Sequence, residues 1–312
     1  MEMNREPCPS PARPSASVVM LRDGSAGLEV FLIKRHSGSE VLGGVHVFPG
    51  GKVDHQDALV DPVAHLDLPA SSLHAALDED HLDKQQAAAL HVAALREAFE
   101  ETGVLYAQAG GTPEAARARR LMCEGHAFGE VLALMSLRLE VSRLQPWSRW
   151  ITPAVGGASR KRFDTRFFLA PTPSDQVPRH DDHEAIDSVW LTPRAALGQY
   201  WARDIELAPP QIMSLAHLAR HRSVAAALTE ARQRKPPLVL PEPFEQDGAR
   251  IICYPGDERH SVRERAWPGP TRLLYRNRRF EPAGGFEALF ASASLELPEP
   301  AYTQSSSRLA PP

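Results

Sequence analysis

Cysteine is scarce in this chain. The three present in 312 residues, Cys8, Cys123 and Cys253, are odd in number, widely spaced and without a C-x-x-C pair. A disulfide framework is thereby excluded, and a reducing interior suits the chain best. No apolar run approaches the roughly 20 residues that a membrane helix needs. The opening stretch, Met1 to Ser17, is rich in Pro and Ser and lacks the apolar core of a secretory signal. A charge excess is also missing: 35 Lys and Arg against 39 Asp and Glu leave a net charge of −4. No global basic field therefore argues for nucleic acid or a membrane surface as partner. A bound cation or a local Arg cluster can still reverse the sign at one site. The expectation is a cytoplasmic chain that binds neither nucleic acid nor membrane.

Ordinary globular composition is what remains, with 43% hydrophobic and 24% charged residues, enough for a sizeable core. Residues 1–16 read as a disordered leader, and residues 17–258 as the main domain. Ser17–Leu21 and Leu28–Lys34 form a strand pair split by the turn signal Asp23-Gly24. A short apolar run, Val45–Phe48, stops at Pro49-Gly50-Gly51. Residues 58–88 mix Pro, Ser, Asp and His and predict an inserted surface loop with one short helix. Residues 84–102, rich in Ala, Leu, Gln and Glu, predict a helix stopped by Gly103. Further helices are expected in 113–143 and over about 210–234, with strands at Phe163–Ala170, Ser188–Leu191, Leu238–Leu240 and Arg250–Tyr254. Residues 259–312 read as a partly disordered C-terminal extension. The mixed order of strands and helices indicates an α+β, layered domain.

The chemistry concentrates in Leu95-Arg96-Glu97-Ala98-Phe99-Glu100-Glu101-Thr102-Gly103-Val104. At about 100° per residue, Val92, Leu95 and Phe99 share one side of a helix. Glu97, Glu100 and Glu101 share the other. Three carboxylates at this spacing repel by a few tenths of a kcal/mol per pair, tolerable in water but calling for a cation in a cleft. Clustered hard oxygens are what Mg²⁺ or Mn²⁺ prefers. Taken alone, three Glu more often make a solvated acidic face. Upstream, however, Val47-Phe48-Pro49-Gly50-Gly51-Lys52 puts two glycines after a strand, where backbone can closely approach a metal or phosphate.

Together the two segments resemble the Nudix box, G-x5-E-x7-R-E-U-x-E-E-x-G-U with U aliphatic. Its second half is met in order by Arg96, Glu97, Ala98, Glu100, Glu101, Gly103 and Val104. The first half departs: counted from Gly51, Asp57 stands in place of Glu, and 38 residues rather than 7 separate it from Arg96. A loop insertion costs little entropy per added residue, so the halves can still meet. The long insertion, together with Trp147–Pro153, Arg162–Thr165 and Leu207–Gln211, resembles the Nudix subgroup of coenzyme A diphosphatases of the mammalian peroxisomal kidney type. The C-terminal Ala310-Pro311-Pro312 lacks that type's SKL-like ending, hence the cytoplasmic expectation.

That resemblance implies an α/β/α sandwich with a mixed sheet, an inserted loop and extra C-terminal helices. It implies Glu97, Glu100 and Glu101, with the Gly50 carbonyl, as ligands of Mg²⁺ or Mn²⁺, and Arg96 as an ion-pair partner that orients them. A general base is expected from the loop His180-Asp181-Asp182-His183-Glu184, with Glu184 the candidate. The same loop could be read as a zinc site, but no second ligand cluster accompanies it. The implied substrate is a small nucleoside diphosphate derivative, coenzyme A or acyl-CoA; ADP-ribose and NADH are the alternatives, and a non-catalytic binding module is a further one. Arg35, Lys161 and Arg162, together with Arg166, are candidates to meet the 3′-phosphate of coenzyme A. Trp147 and Trp150 either stack a base, line an acyl groove or belong to the core. A homodimer is a candidate assembly.

Overall fold

A computed structural model describes residues 10–39, 41–154, 161–181 and 185–291. The chain opens with a hairpin of β1 (Arg13–Gly24) and β2 (Gly27–Arg35), in which Gly24 pairs with Gly27 across a two-residue turn. Two short strands follow, β3 (His46–Val47) and β4 (Gly50–Lys52). A 3-10 turn (His55–Leu59) then leads to α1 (Pro62–His65), α2 (Ala70–Leu77) and α3 (Lys84–Thr102). Next come α4 (Thr112–Cys123), α5 (Phe128–Leu134), β5 (Gln145–Ile151), β6 (Phe163–Pro171) and β7 (Ala185–Leu191). Three helices, α6 (Pro193–Ala202), α7 (Pro209–Leu218) and α8 (Val224–Gln233), precede β8 (Leu238–Val239). The described chain closes with β9 (Glu242–Gln246), β10 (Ala249–Cys253), β11 (Arg272–Arg276) and β12 (Arg279–Glu281).

Among the described residues the first eight strands make one mixed sheet, ordered β3-β2-β1-β6-β5-β8, with β4 also on β1 and β7 on β2. The β1–β6 pairing is parallel and the β1–β2 hairpin antiparallel. Strand alternation divides the apolar residues between two cores. Ala16, Val18, Met20, Phe31 and Ile33 face α2, α3 and α5. Val19, Leu21, Val30 and Leu32 face α6, α7, α8 and a second, four-stranded sheet ordered β12-β11-β10-β9. The result is the expected sandwich, an α+β fold. Among the described residues no helix is long and apolar enough to cross a membrane.

Helix α3 begins and ends where its sequence signals place it. The Asp83 carboxylate accepts from the Gln86 N–H at 2.7 Å, and the Gln86 side chain accepts from the Asp83 N–H at 2.9 Å. At the other end Gly103 adopts φ +72°, the left-handed conformation glycine tolerates.

Three expectations need correction and a fourth gains detail. Residues 13–16 are strand, not leader: Ser15 pairs with Thr165 on one side and Lys52 on the other, and two-sided backbone bonding outweighs local Pro and Ser. The insertion carries two helices, and Leu66, Leu73 and Leu77 are buried in the α3-side core; Leu73 and Leu77 share the buried face of α2 at i, i+4, but one such pair among Pro, Ser, Asp and His is too short a pattern to stand out. The segment 210–234 is two helices, because the chain breaks after Leu218 and Ser223 caps α8 by accepting from the Ala226 N–H. The extension beyond 259 is ordered in its described part: β11 and β12, and before them Trp267, pack into the second core.

Candidate active site

The two halves of the split motif meet in space. Asp57, on the 3-10 turn, is buried and receives the Arg96 guanidinium on both oxygens, from Nε at 2.7 Å and from Nη2 at 2.9 Å. Asp57 and Arg96, 39 positions apart in the sequence, are thereby joined across the insertion. Arg96 also donates to the Lys52 carbonyl at 2.9 Å, and its Nη1 reaches Glu97 at 2.9 Å and Glu100 at 2.8 Å. Burial alone would lower the Arg96 pKa. The Asp57 hydrogen bonds and the charges of Glu97, Asp57 and Glu100 override it and hold the pKa above its ordinary value.

Gly50 is required by close approach to backbone, whereas a side chain at Gly51 would displace the Glu97 carboxylate. A Cβ on Gly50 would collide with the Ala16 carbonyl, and one on Gly51 would sit 2.5 Å from the Glu97 carboxyl group. The Gly50 N–H donates to Glu101 Oε2 at 2.7 Å, and Arg35 Nη1 lies 3.8 Å from Glu101 Oε1. The picture of a water-exposed carboxylate face is corrected here: side-chain exposure is 3% for Glu101, 13% for Glu97 and 35% for Glu100. The cause is that α2, β4 and the sheet enclose α3 on several sides, not on one stripe.

Past Gly51 the Glu97 carboxylate meets a cavity of about 610 Å³. The separate segments singled out in the sequence converge on it: Gly50-Gly51-Lys52, Trp150–Pro153, Lys161 and Ala208–Gln211 all contribute lining. Arg35 and Lys161 line it as expected. Arg162 does not; its guanidinium donates to the Thr152 and Ser10 carbonyls and ties strand ends together. Arg166 is likewise removed from the candidates, being buried in ion pairs with Glu79 and Asp164. Arg13, hidden in what read as a leader, lines the cavity instead. Trp147 and Trp150 are core residues, the former against Trp267 and His217, and Trp150 also forms part of the cavity wall.

Glu184 lies outside the described residues. Residues 179–181 before it are held at the end of α3: the Asp181 N–H donates to the Glu101 carbonyl and the Arg179 N–H to the Thr102 carbonyl, both at 3.0 Å. His180 bonds Ser188 and Asp181 pairs with Arg119, so these two are engaged away from any zinc cluster.

The carboxylates are of the hard-oxygen kind a divalent cation takes, and among the described residues no three of them bring ligand oxygens within 4.8 Å of one another. Among the described residues, Glu97, Glu100 and Glu101 stand with Asp54 and Asp57 near Arg96, Arg35 and Lys52, a cluster of hard anionic oxygen. Elsewhere, and among the described residues, His217, His221 and Glu230 bring three ligand atoms within 4.8 Å. There each imidazole lies 2.7 Å from a Glu230 oxygen, a hydrogen-bond distance.

Fold and site together define the Nudix class. The family model described as "NUDT19 Nudix domain" matches residues 10–218. The chain belongs to that family. It is 26% identical to the human acyl-coenzyme A diphosphatase NUDT19, across 83% of each chain. It is 28% identical to the chicken protein of the same name, across 75% of this chain and 73% of the other. Among solved structures, a NUDIX hydrolase from Alicyclobacillus acidocaldarius superposes with a TM-score of 0.58 at 26% identity, covering 71% of this chain and 97% of that one.

Proposed function

We propose that the chain is a divalent-metal-dependent Nudix diphosphatase that hydrolyses coenzyme A or acyl-CoA to 3′,5′-ADP and (acyl-)4′-phosphopantetheine. The observation that carries this reading is the opening of the carboxylate end of α3, through Gly51, onto a large cavity rimmed by Arg13 and Lys161. The naming of the relatives as acyl-coenzyme A diphosphatases supports the substrate.

Glu97, Glu100 and Glu101, with the Gly50 carbonyl, would hold Mg²⁺ or Mn²⁺. When bound, such an ion supplies charge neutralisation of the diphosphate and a lowered pKa for the attacking water. Arg96 fixes Glu97 and Glu100, and the Gly50 N–H fixes Glu101, so the carboxylates need little reorganisation. Glu184, three residues beyond Asp181 in the sequence, takes the proton from water as it attacks one phosphorus. The bond from that phosphorus to the bridging oxygen breaks, and the other phosphate leaves. Arg13 and Lys161, which line the cavity, would meet the 3′-phosphate. Cysteine usage without a disulfide framework supports a cytoplasmic setting.

Mass spectrometry of products after incubation with Mg²⁺ tests the reading. Release of 3′,5′-ADP from coenzyme A is expected. Cleavage of ADP-ribose or NADH instead would keep the chemistry and replace the substrate, and no product from any of them would discard the enzyme reading.

A further inference from the structure

The cavity has two ends that differ in chemistry. Lys52, Ser15, Thr165 and Trp150 are consecutive register partners across β4, β1, β6 and β5. At about 4.8 Å per strand, Trp150 stands roughly 14 Å from the glycine turn that abuts Glu97. Pro241, two residues past the Val239 that pairs with Trp150, and Ile252, two before the Tyr254 that packs on it, stand at the Trp150 end of the wall, and Phe280 lines the same cavity. All three are apolar, and all lie beyond residue 218, where the family match ends.

This wall is held rigidly. Tyr254, next but one to Ile252, packs edge-on to Trp150 with ring centroids 5.7 Å apart. The Phe280 N–H donates to the Tyr200 hydroxyl at 2.8 Å, and that hydroxyl donates back to the Phe280 carbonyl at 3.0 Å. Ile252 and Phe280 are 4% and 2% exposed, so neither is free to swing away. A wall that is apolar, fixed and remote from the carboxylates selects the end of the substrate farthest from the diphosphate.

We propose that the C-terminal four-stranded sheet is the specificity element, with Ile252 and Phe280 gripping the acyl chain of an acyl thioester. This rests on the diphosphatase reading above. An alkyl chain gains from burial there what a free thiol cannot, and one methylene more or less in an apolar pocket changes kcat/KM by about tenfold or more.

The test compares kcat/KM for free, octanoyl- and palmitoyl-coenzyme A in the wild type, Ile252→Trp, Phe280→Ala and Phe280→Leu. The wild type is expected to favour an acylated substrate. Ile252→Trp, which fills the wall, should lower the ratio of octanoyl to free coenzyme A about tenfold or more. Phe280→Ala should move the preference towards the longer chain. If either variant fails to fold, Phe280→Leu, which keeps the backbone bonds to Tyr200, carries the test through the same ratio. An unchanged ratio in the folded variants, or a wild type that cleaves only free coenzyme A, overturns the proposal and leaves the diphosphatase reading standing. A wild type that cleaves neither overturns that reading itself.

Discussion

Arg96 is the residue on which both halves of the motif depend. It joins Asp57, Glu97, Glu100 and the Lys52 carbonyl. Removing it leaves Asp57 buried without its counter-charge, which costs about 3–5 kcal/mol when a buried pair is broken. Arg96→Ala should therefore lower the urea midpoint as well as turnover. Arg96→Lys should rescue little of either, since one ammonium cannot reproduce the fork; a variant with wild-type stability would show that Asp57 is held by something else. At the cavity rim, Arg13 replaces Arg162 as the residue to test. Losing a charge-assisted hydrogen bond costs about 1.5–3 kcal/mol. Arg13→Ala should thus erode the preference for coenzyme A over dephospho-coenzyme A by about tenfold to a hundredfold. Arg162→Ala should leave that preference in place, because its donors hold carbonyls. Equal losses on both substrates in Arg13→Ala would remove Arg13 from phosphate recognition.

At the scale of elements, α3 was legible in the sequence because its cap, its stop and its carboxylates are all local signals. The hairpin and β6 were legible for the same reason. Long-range partners were not. Nothing in the neighbourhood of Arg13 foretells a parallel pairing to Phe163, and nothing near Glu79 foretells that it lies between Arg149 and Arg166 and ties the insertion to the sheet. Nor does an alternating charge pattern reveal that α3 is covered around most of its circumference. That covering makes His91, 1% exposed, a titration point inside the helix. Burial pushes its pKa down to about 4, against a smaller opposing effect of its bond to the Ala87 carbonyl. The folded pKa lies below the unfolded 6.5, so the unfolded state gains the proton first. Stability is full above pH 6.5 and falls as pH drops towards 4, by about 3 kcal/mol at about 1.4 kcal/mol per unit. His91→Phe should flatten the decline in urea midpoint across that window. His46 and His217, also held low by burial, should preserve part of it. An unchanged slope would place the acid sensitivity elsewhere.

Over the whole molecule, the net charge of −4 is unremarkable, yet the carboxylates converge where the split motif closes. Bringing Asp57 to Arg96 draws Gly50 and Gly51 against Glu101 and Glu97, so the fold itself concentrates like charge at one end of α3. The buried position of Glu101 raises the cost of that concentration above what an exposed helix face would carry. A divalent ion that binds only the folded chain should relieve it and appear as stability. At a hundred times its dissociation constant the gain is about 2.7 kcal/mol, or on the order of 5 °C or more in Tm for a chain of this size. Adding Mg²⁺ or Mn²⁺ to chelator-treated protein should therefore raise Tm with substrate absent. Glu101→Gln keeps an acceptor for the Gly50 N–H but removes the charge, so it should abolish both that rise and turnover while retaining the fold. If the wild type shows no rise and the variant turns over normally, the ligand assignment of Glu101 is wrong. A rise that survives in Glu101→Gln would instead move the ion to other carboxylates.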